Sequence, residues 1–103
     1  MLSYLKKLFS PKPKVDYAQI IQNGAVILDV RTGEEFRAGH VKGAVNIPLQ
    51  KLREQTSRLM KNKPIITCCR SGARSATAKS ILQRHGFEVY NGGSWASLRK
   101  YTN

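Results

Sequence analysis

Acidic residues are scarce. The chain of 103 residues has 6 Asp and Glu against 18 Lys and Arg, a formal charge of +12. Such a surplus attracts small oxyanions, acidic proteins, nucleic acid and lipid headgroups alike, so charge alone does not choose a partner. No run of about 18 apolar residues occurs, which excludes a conventional transmembrane helix. Two cysteines cannot staple a disulfide scaffold, and Cys68 and Cys69 are neighbours whose pairing would be strained. The two histidines and two cysteines lack metal-ligand spacing, so no metal is expected. Aromatic residues are 8% of the chain and do not interleave with a basic stripe, so nucleic acid is not an expected partner. Two lysines interrupt the apolar part of Met1–Ser10, which does not read as a secretory signal. With no disulfide framework either, the expected compartment is the reducing cytoplasm.

Hydrophobic residues make up 41% and charged residues 23%, a globular balance. The length allows one small domain. Residues 1–14 hold four lysines and no acid, and Ser10-Pro11-Lys12-Pro13-Lys14 reads as a stiff linker. Residues 1–14 are therefore expected to be a basic appendage, and 15–103 the domain. Residues 1–10 place Leu2, Leu5, Leu8 and Phe9 at helical spacing. Membrane or partner contact by that helix is the lesser reading, because it is short for either job.

Asp16 can cap a helix with Tyr17, Ile20 and Ile21, ended by Asn23-Gly24. Ala25–Val30 is a continuous apolar run, the mark of a buried parallel strand. Thr32-Gly33-Glu34-Glu35 matches a capping box for a helix to about Ala38. Ala44–Ile47 and Ile65–Cys68 are further strand segments, and Phe87–Tyr90 is another, followed by a turn at Asn91-Gly92-Gly93. Pro48 should open a helix with Leu49, Leu52, Leu59 and Met60 on one face. A helix is expected from about Gly72 to His85, and Ser94 should cap a last one bearing Trp95 and Leu98. Strands alternating with helices predict an α/β domain with a mainly parallel sheet.

The segment Cys69-Arg70-Ser71-Gly72-Ala73-Arg74-Ser75 carries the chemistry. It puts a cysteine at the carboxyl end of a buried strand, where open parallel sheets bind ligands. A loop curling round the sulfur would aim backbone N–H groups at it, beside a helix N-terminus. Arg70 and Arg74 add positive charge. All three effects favour thiolate, so Cys69 is the expected nucleophile without a histidine base. Alternation along the strand sends Cys68 to the opposite face and into the core. Arg31 should pair with Glu35 or Glu34 and brace the loop, with Asp29 and Trp95 as further pocket supports. His40 is expected to be a structural hydrogen-bonding residue, His85 a helix-terminal cap, and Asn46 a side chain bonded to backbone in a turn.

These segments resemble the rhodanese-like domain, over roughly residues 15–97. The resemblance lies in Leu28-Asp29-Val30-Arg31, Glu35-Phe36, Gly39-His40-Val41, Gly43-Ala44-Val45-Asn46-Ile47-Pro48, the Cys69–Ser75 loop, Gly86-Phe87 and Asn91-Gly92-Gly93. It implies a central five-stranded parallel sheet with helices on both faces, and a six-residue loop whose first residue, here Cys69, is the nucleophile. Arg70, Ser71, Gly72, Ala73 and Arg74 would form the substrate-binding and persulfide-binding loop. The implied activity is a thiosulfate:cyanide sulfurtransferase: a covalent persulfide on Cys69, no separate cofactor, a small anionic donor such as thiosulfate, and a thiol or protein acceptor. Relatives that act on phosphate or arsenate resemble a Cys-x5-Arg loop. The spacing here is Cys69-x4-Arg74, a tighter ring that suits one extra sulfur. A persulfide carrier served by a protein donor, and a noncatalytic basic binding module, are the alternatives.

Overall fold

The computed structural model describes residues 14–102, so the expected appendage at residues 1–14 lies almost wholly outside the described residues. Each of the four segments with strand patterning becomes a strand. They are β1 (Val26–Asp29), β2 (Val45–Asn46), β3 (Ile65–Cys69) and β4 (Val89–Ser94). All pairings are parallel, in the order β2-β1-β3-β4. The implied fifth strand is absent among the described residues; it rested on the resemblance alone, since only four segments have strand patterning.

Helices cover both faces. Helix α1 (Tyr17–Gln22) is capped by Asp16, whose carboxylate accepts from Gln19 N. Helix α2 (Gly33–Ala38) carries the full capping box between Thr32 and Glu35. Helix α3 (Ala73–Arg84) follows β3, and α4 (Trp95–Leu98), capped by Ser94, follows β4. Alternation along the central strands divides the core. On one face Leu28, Val30, Ile65 and Cys69 pack with Ala78, Ile81 and Leu82 of α3, and with Leu52 and Phe87. On the other, Ile27, Ile66 and Cys68 pack with Val41 and Leu98, flanked by Tyr17, Ile20, Ile21 and Trp95.

Two segments depart from expectation. After Pro48 the chain forms two 3-10 turns, Leu49–Glu54 and Thr56–Arg58, instead of one α-helix. Bonds such as Lys51 N to the Pro48 carbonyl tighten the winding to three residues per turn. That period buries Leu52 but leaves Met60 exposed. The Asn91-Gly92-Gly93 segment lies inside β4 and is not a turn after it. Thr67 pairs with Asn91 but Cys69 pairs with Ser94, so β4 has one extra residue there, a bulge. Gly92 makes it feasible: a Cβ on it would come within 2.7 Å of Ile66 Cγ2 and 2.9 Å of Leu98 Cδ1.

Candidate active site

The parallel sheet delivers Cys69 to the carboxyl end of its central strand, and the next six residues fold back over the sulfur. Gly72 makes the reversal. Its φ of 106° lies in the left-handed region, which favours glycine. The turn aims Gly72 N at Cys69 Sγ at 3.0 Å, and the start of α3 brings Ser75 N to 3.4 Å. The Ser71 amide adds to the same cradle. Burial pushes the Cys69 thiol up, but hydrogen bonds from the Ser75 side chain and from the Ser75, Gly72 and Ser71 amides outweigh it, and its pKa falls below the usual thiol value. Cys69 is only 1% exposed, so the sulfur lies on the floor of the loop.

Among the described residues, neither Arg70 nor Arg74 hydrogen-bonds to the Cys69 sulfur. Arg74 is held by Glu35, with Nη1–Oε1 at 2.7 Å and Nη2–Oε2 at 3.0 Å. The Arg74 guanidinium in turn holds the Glu35 carboxyl far down, at about 2, with the Thr32 backbone and hydroxyl assisting against burial. Arg70, Ser71 and Ala73 are exposed at the rim. The cradle therefore runs through the backbone of Ser71, Gly72 and Ser75, where residues 70–74 were expected. A cavity of about 270 Å³ opens beside the loop, lined by Val30, Thr32, Leu49, Gln50 and Arg74.

Ser75 is the residue that sequence reasoning missed. It is fully buried, and its hydroxyl lies 3.5 Å from Sγ. Its carbonyl accepts from Thr67 Oγ1 at 2.9 Å. The signal was the segment's last position, a small polar residue one turn into a helix and under the loop. Asn91 was missed with it. Ser75 Oγ donates toward Asn91 Oδ1 at 2.7 Å or the Gly72 carbonyl at 3.0 Å, and Asn91 Nδ2 donates to that same carbonyl at 3.3 Å. Regular pairing beside Thr67 brings Asn91 to that place, and Gly93 N of the bulge that follows holds its Oδ1.

Asp29, Arg31 and Trp95 are brought together, but around the Cys68 face. Arg31 does not pair with Glu34 or Glu35. It pairs with Asp29, Nη2–Oδ2 at 2.7 Å, and both side chains are buried. Two residues apart at the end of β1, they meet before Arg31 can reach the α2 carboxylates. The guanidinium bonds instead to α2's backbone end, at the Gly39 carbonyl (2.7 Å) and the Glu35 carbonyl (3.4 Å). Trp95 lies between two guanidinium groups, Arg31 at 4.5 Å and Arg99 at 5.1 Å. Burial pushes the Cys68 thiol up to about 12, with Asp29 adding to the rise. His40 Nδ1 bonds to the Phe36 carbonyl at 2.8 Å, and His85 Nδ1 to the Ile81 carbonyl at 2.9 Å, both in the structural sense expected. Asn46 bonds to the Asp29 and Arg31 carbonyls from within β2. Among the described residues, no three His, Cys, Asp or Glu side chains cluster as a metal site would need, and no helix is long and apolar enough to cross a membrane.

Known proteins resemble this chain. The family model described as Rhodanese-like domain matches residues 14–97. A protein of Escherichia coli (strain K12), thiosulfate sulfurtransferase PspE, is 38% identical over 69 residues, 64% of this chain and 66% of that one. The putative sulfur carrier protein YrkF of Bacillus subtilis (strain 168) is 36% identical over 77 residues, 75% of this chain but 40% of that one. The chain thus spans less than two thirds of these relatives' length. A solved structure described as rhodanese with anions, from E. coli, superposes with a TM-score of 0.64 at 36% identity, covering 71% of this chain and 89% of that one.

Proposed function

The chain belongs to the rhodanese-like family, and from that premise we propose that it is a sulfurtransferase moving a sulfane sulfur from thiosulfate or a related donor to a thiophilic acceptor through a persulfide on Cys69. One observation carries this reading: the Cys69 sulfur sits 1% exposed beneath amides of Gly72 at 3.0 Å and Ser75 at 3.4 Å. A floor so enclosed suits a single terminal atom presented by an elongated donor, and disfavours a bulky tetrahedral group at the sulfur.

The Cys69 thiolate attacks the outer sulfur of thiosulfate. A sulfur–sulfur bond forms, the bond to the sulfonate sulfur breaks, and sulfite departs with the electron pair. The negative charge moves to the terminal sulfur, where preorganised amide donors offset it. Cyanide in vitro, or a thiol of a small molecule or protein, then takes that sulfur and restores the thiolate. A reducing cytoplasm suits this cycle, since it keeps Cys69 as a free thiol between turnovers. The test is the intact mass after thiosulfate treatment. One added sulfur, absent from Cys69→Ser, is expected; no increment, or one that survives the substitution, overturns the mechanism.

A second reading has its own support. Because Glu35 engages Arg74, the positive charge facing a dianion is reduced. A persulfide handed over by a donor protein would not need that charge. Turnover faster with a persulfidated protein than with thiosulfate would identify such a carrier.

A further inference from the structure

The Ser75 hydroxyl has one hydrogen and three acceptors in reach. Asn91 Oδ1 is at 2.7 Å, the Gly72 carbonyl at 3.0 Å and Cys69 Sγ at 3.5 Å. Asn91 itself cannot turn away. Its Oδ1 accepts from Gly93 N at 2.9 Å, its Nδ2 donates to the Gly72 carbonyl at 3.3 Å, and its own carbonyl accepts from Tyr17 at 2.9 Å. The amide oxygen therefore faces Ser75 as a fixed acceptor.

We propose that Asn91 is a positioning residue for sulfur transfer, holding the Ser75 hydroxyl hydrogen whenever Cys69 Sγ is uncharged and releasing it to Sγ when the sulfur is a thiolate. In the thiol, S–H donates to Ser75 Oγ and the hydroxyl donates to Asn91. Ionisation removes that donor and leaves a negative sulfur, toward which the hydroxyl turns. Once the thiolate has attacked the donor's outer sulfur and sulfite has left, Sγ lies inside a disulfide-like bond and the charge is on the terminal sulfur. The hydroxyl then returns to Asn91. Asn91 thus favours the thiol and the persulfide over the thiolate, and so helps set how readily the sulfur is taken up. This rests on the persulfide reading, although its first test does not require sulfur transfer.

Few other groups bear on the sulfur. Arg74 is paired with Glu35, Arg70 is exposed, Cys68 with Asp29 and Arg31 lies on the far face of β3, and Tyr17 sits on the Asn91 carbonyl. Among the described residues the Ser75 hydroxyl meets only Sγ, the Gly72 carbonyl and Asn91.

The experiment is the pH dependence of Cys69 alkylation by iodoacetamide in the intact protein, as wild type, Asn91→Leu, Ser75→Ala and the double variant. Removing the competing acceptor should lower the midpoint by about half a pH unit, and removing the hydroxyl should raise it by a similar amount. In the Ser75→Ala background, Asn91→Leu should change nothing. A midpoint that stays or rises in Asn91→Leu, or the same shift in both backgrounds, marks a merely structural Asn91 and overturns the proposal. The wild-type protein gives a second reading by NMR. The Asn91 side-chain amide should shift as Cys69 ionises and return to its thiol-like position on persulfidation. An amide that ignores the charge on Cys69 also overturns the proposal. If no persulfide forms, the sulfur-transfer reading fails, while the alkylation midpoints still judge Asn91.

Discussion

Cys68 and Cys69 are chemically identical, adjacent and both buried, yet their environments drive them apart. Burial alone would push both thiols up, and for Cys68 it does, to about 12. Cys69 also meets a burial penalty but receives the Gly72 and Ser75 amides and the Ser75 hydroxyl, and its pKa ends below normal. The difference is direction. One side chain points at helix side chains and the Asp29 carboxylate, the other into a ring of donors. Reactivity here belongs to the face of the strand rather than to the residue type.

The sharpest way to break this comparison is to exchange sulfur for oxygen on each face. Cys69→Ser should lower sulfur transfer by about a thousandfold or more, because an alcohol at that position stays protonated and a poor nucleophile. Cys68→Ser should leave transfer within about threefold in the folded protein, its cost appearing in stability. Steady-state cyanolysis with both variants decides. Equal losses would mean that the two faces are not independent.

The Cys68 face can be tested through its ion pair. Arg31→Ala leaves the fully buried Asp29 carboxylate without its partner and should cost about 3–5 kcal/mol of stability by urea unfolding. If that face is scaffold, the pH midpoint of Cys69 alkylation should not move in the variant while it remains folded. A midpoint shift would show that the pair reaches the cradle.

Legibility in the sequence follows the same division. The strands and the loop were readable because their signals are local: apolar runs, a capping box at Thr32, and a cysteine at a strand's carboxyl end ahead of a helix. Cys68 and Cys69 could be assigned to opposite faces from alternation alone. Pairings that close across the fold were not readable. Arg31 has three carboxylates within six residues, and the sequence does not say that Asp29 wins. Arg74 meets Glu35 from 39 positions away. The role of Asn91 depends on its pairing beside Thr67 within β4, where Asn-Gly-Gly alone reads as a turn.

The bulge in β4 provides the next test. Gly92→Ala would force a Cβ within 2.7 Å of Ile66 Cγ2, on the Cys68 side. The expected loss is about 1–3 kcal/mol. Because Gly93 of the bulge donates its N–H to Asn91 Oδ1, the alkylation midpoint should shift too, unlike in Arg31→Ala. Loss of stability without that shift would show that the bulge does not position the cradle.

The smallest effect is expected from Glu35→Gln, which acts at the rim. Glu35 and Arg74 are each about a third exposed, so solvent screens the pair and the stability change at neutral pH should stay under about 1 kcal/mol. Its pH dependence has a definite sign. A carboxyl whose folded value is depressed to about 2 stabilises the fold above its unfolded value, near 4.3, and loses that contribution as pH falls toward 2. Wild type and Glu35→Gln should therefore differ most at pH 5 and above, and converge below about pH 2. Freed of its carboxylate, Arg74 faces the cavity with its full charge, so the KM for thiosulfate should fall a few-fold while kcat changes little. An unchanged KM would mean that Arg74 does not meet the donor, which would leave the backbone cradle as the site's means of holding an anion.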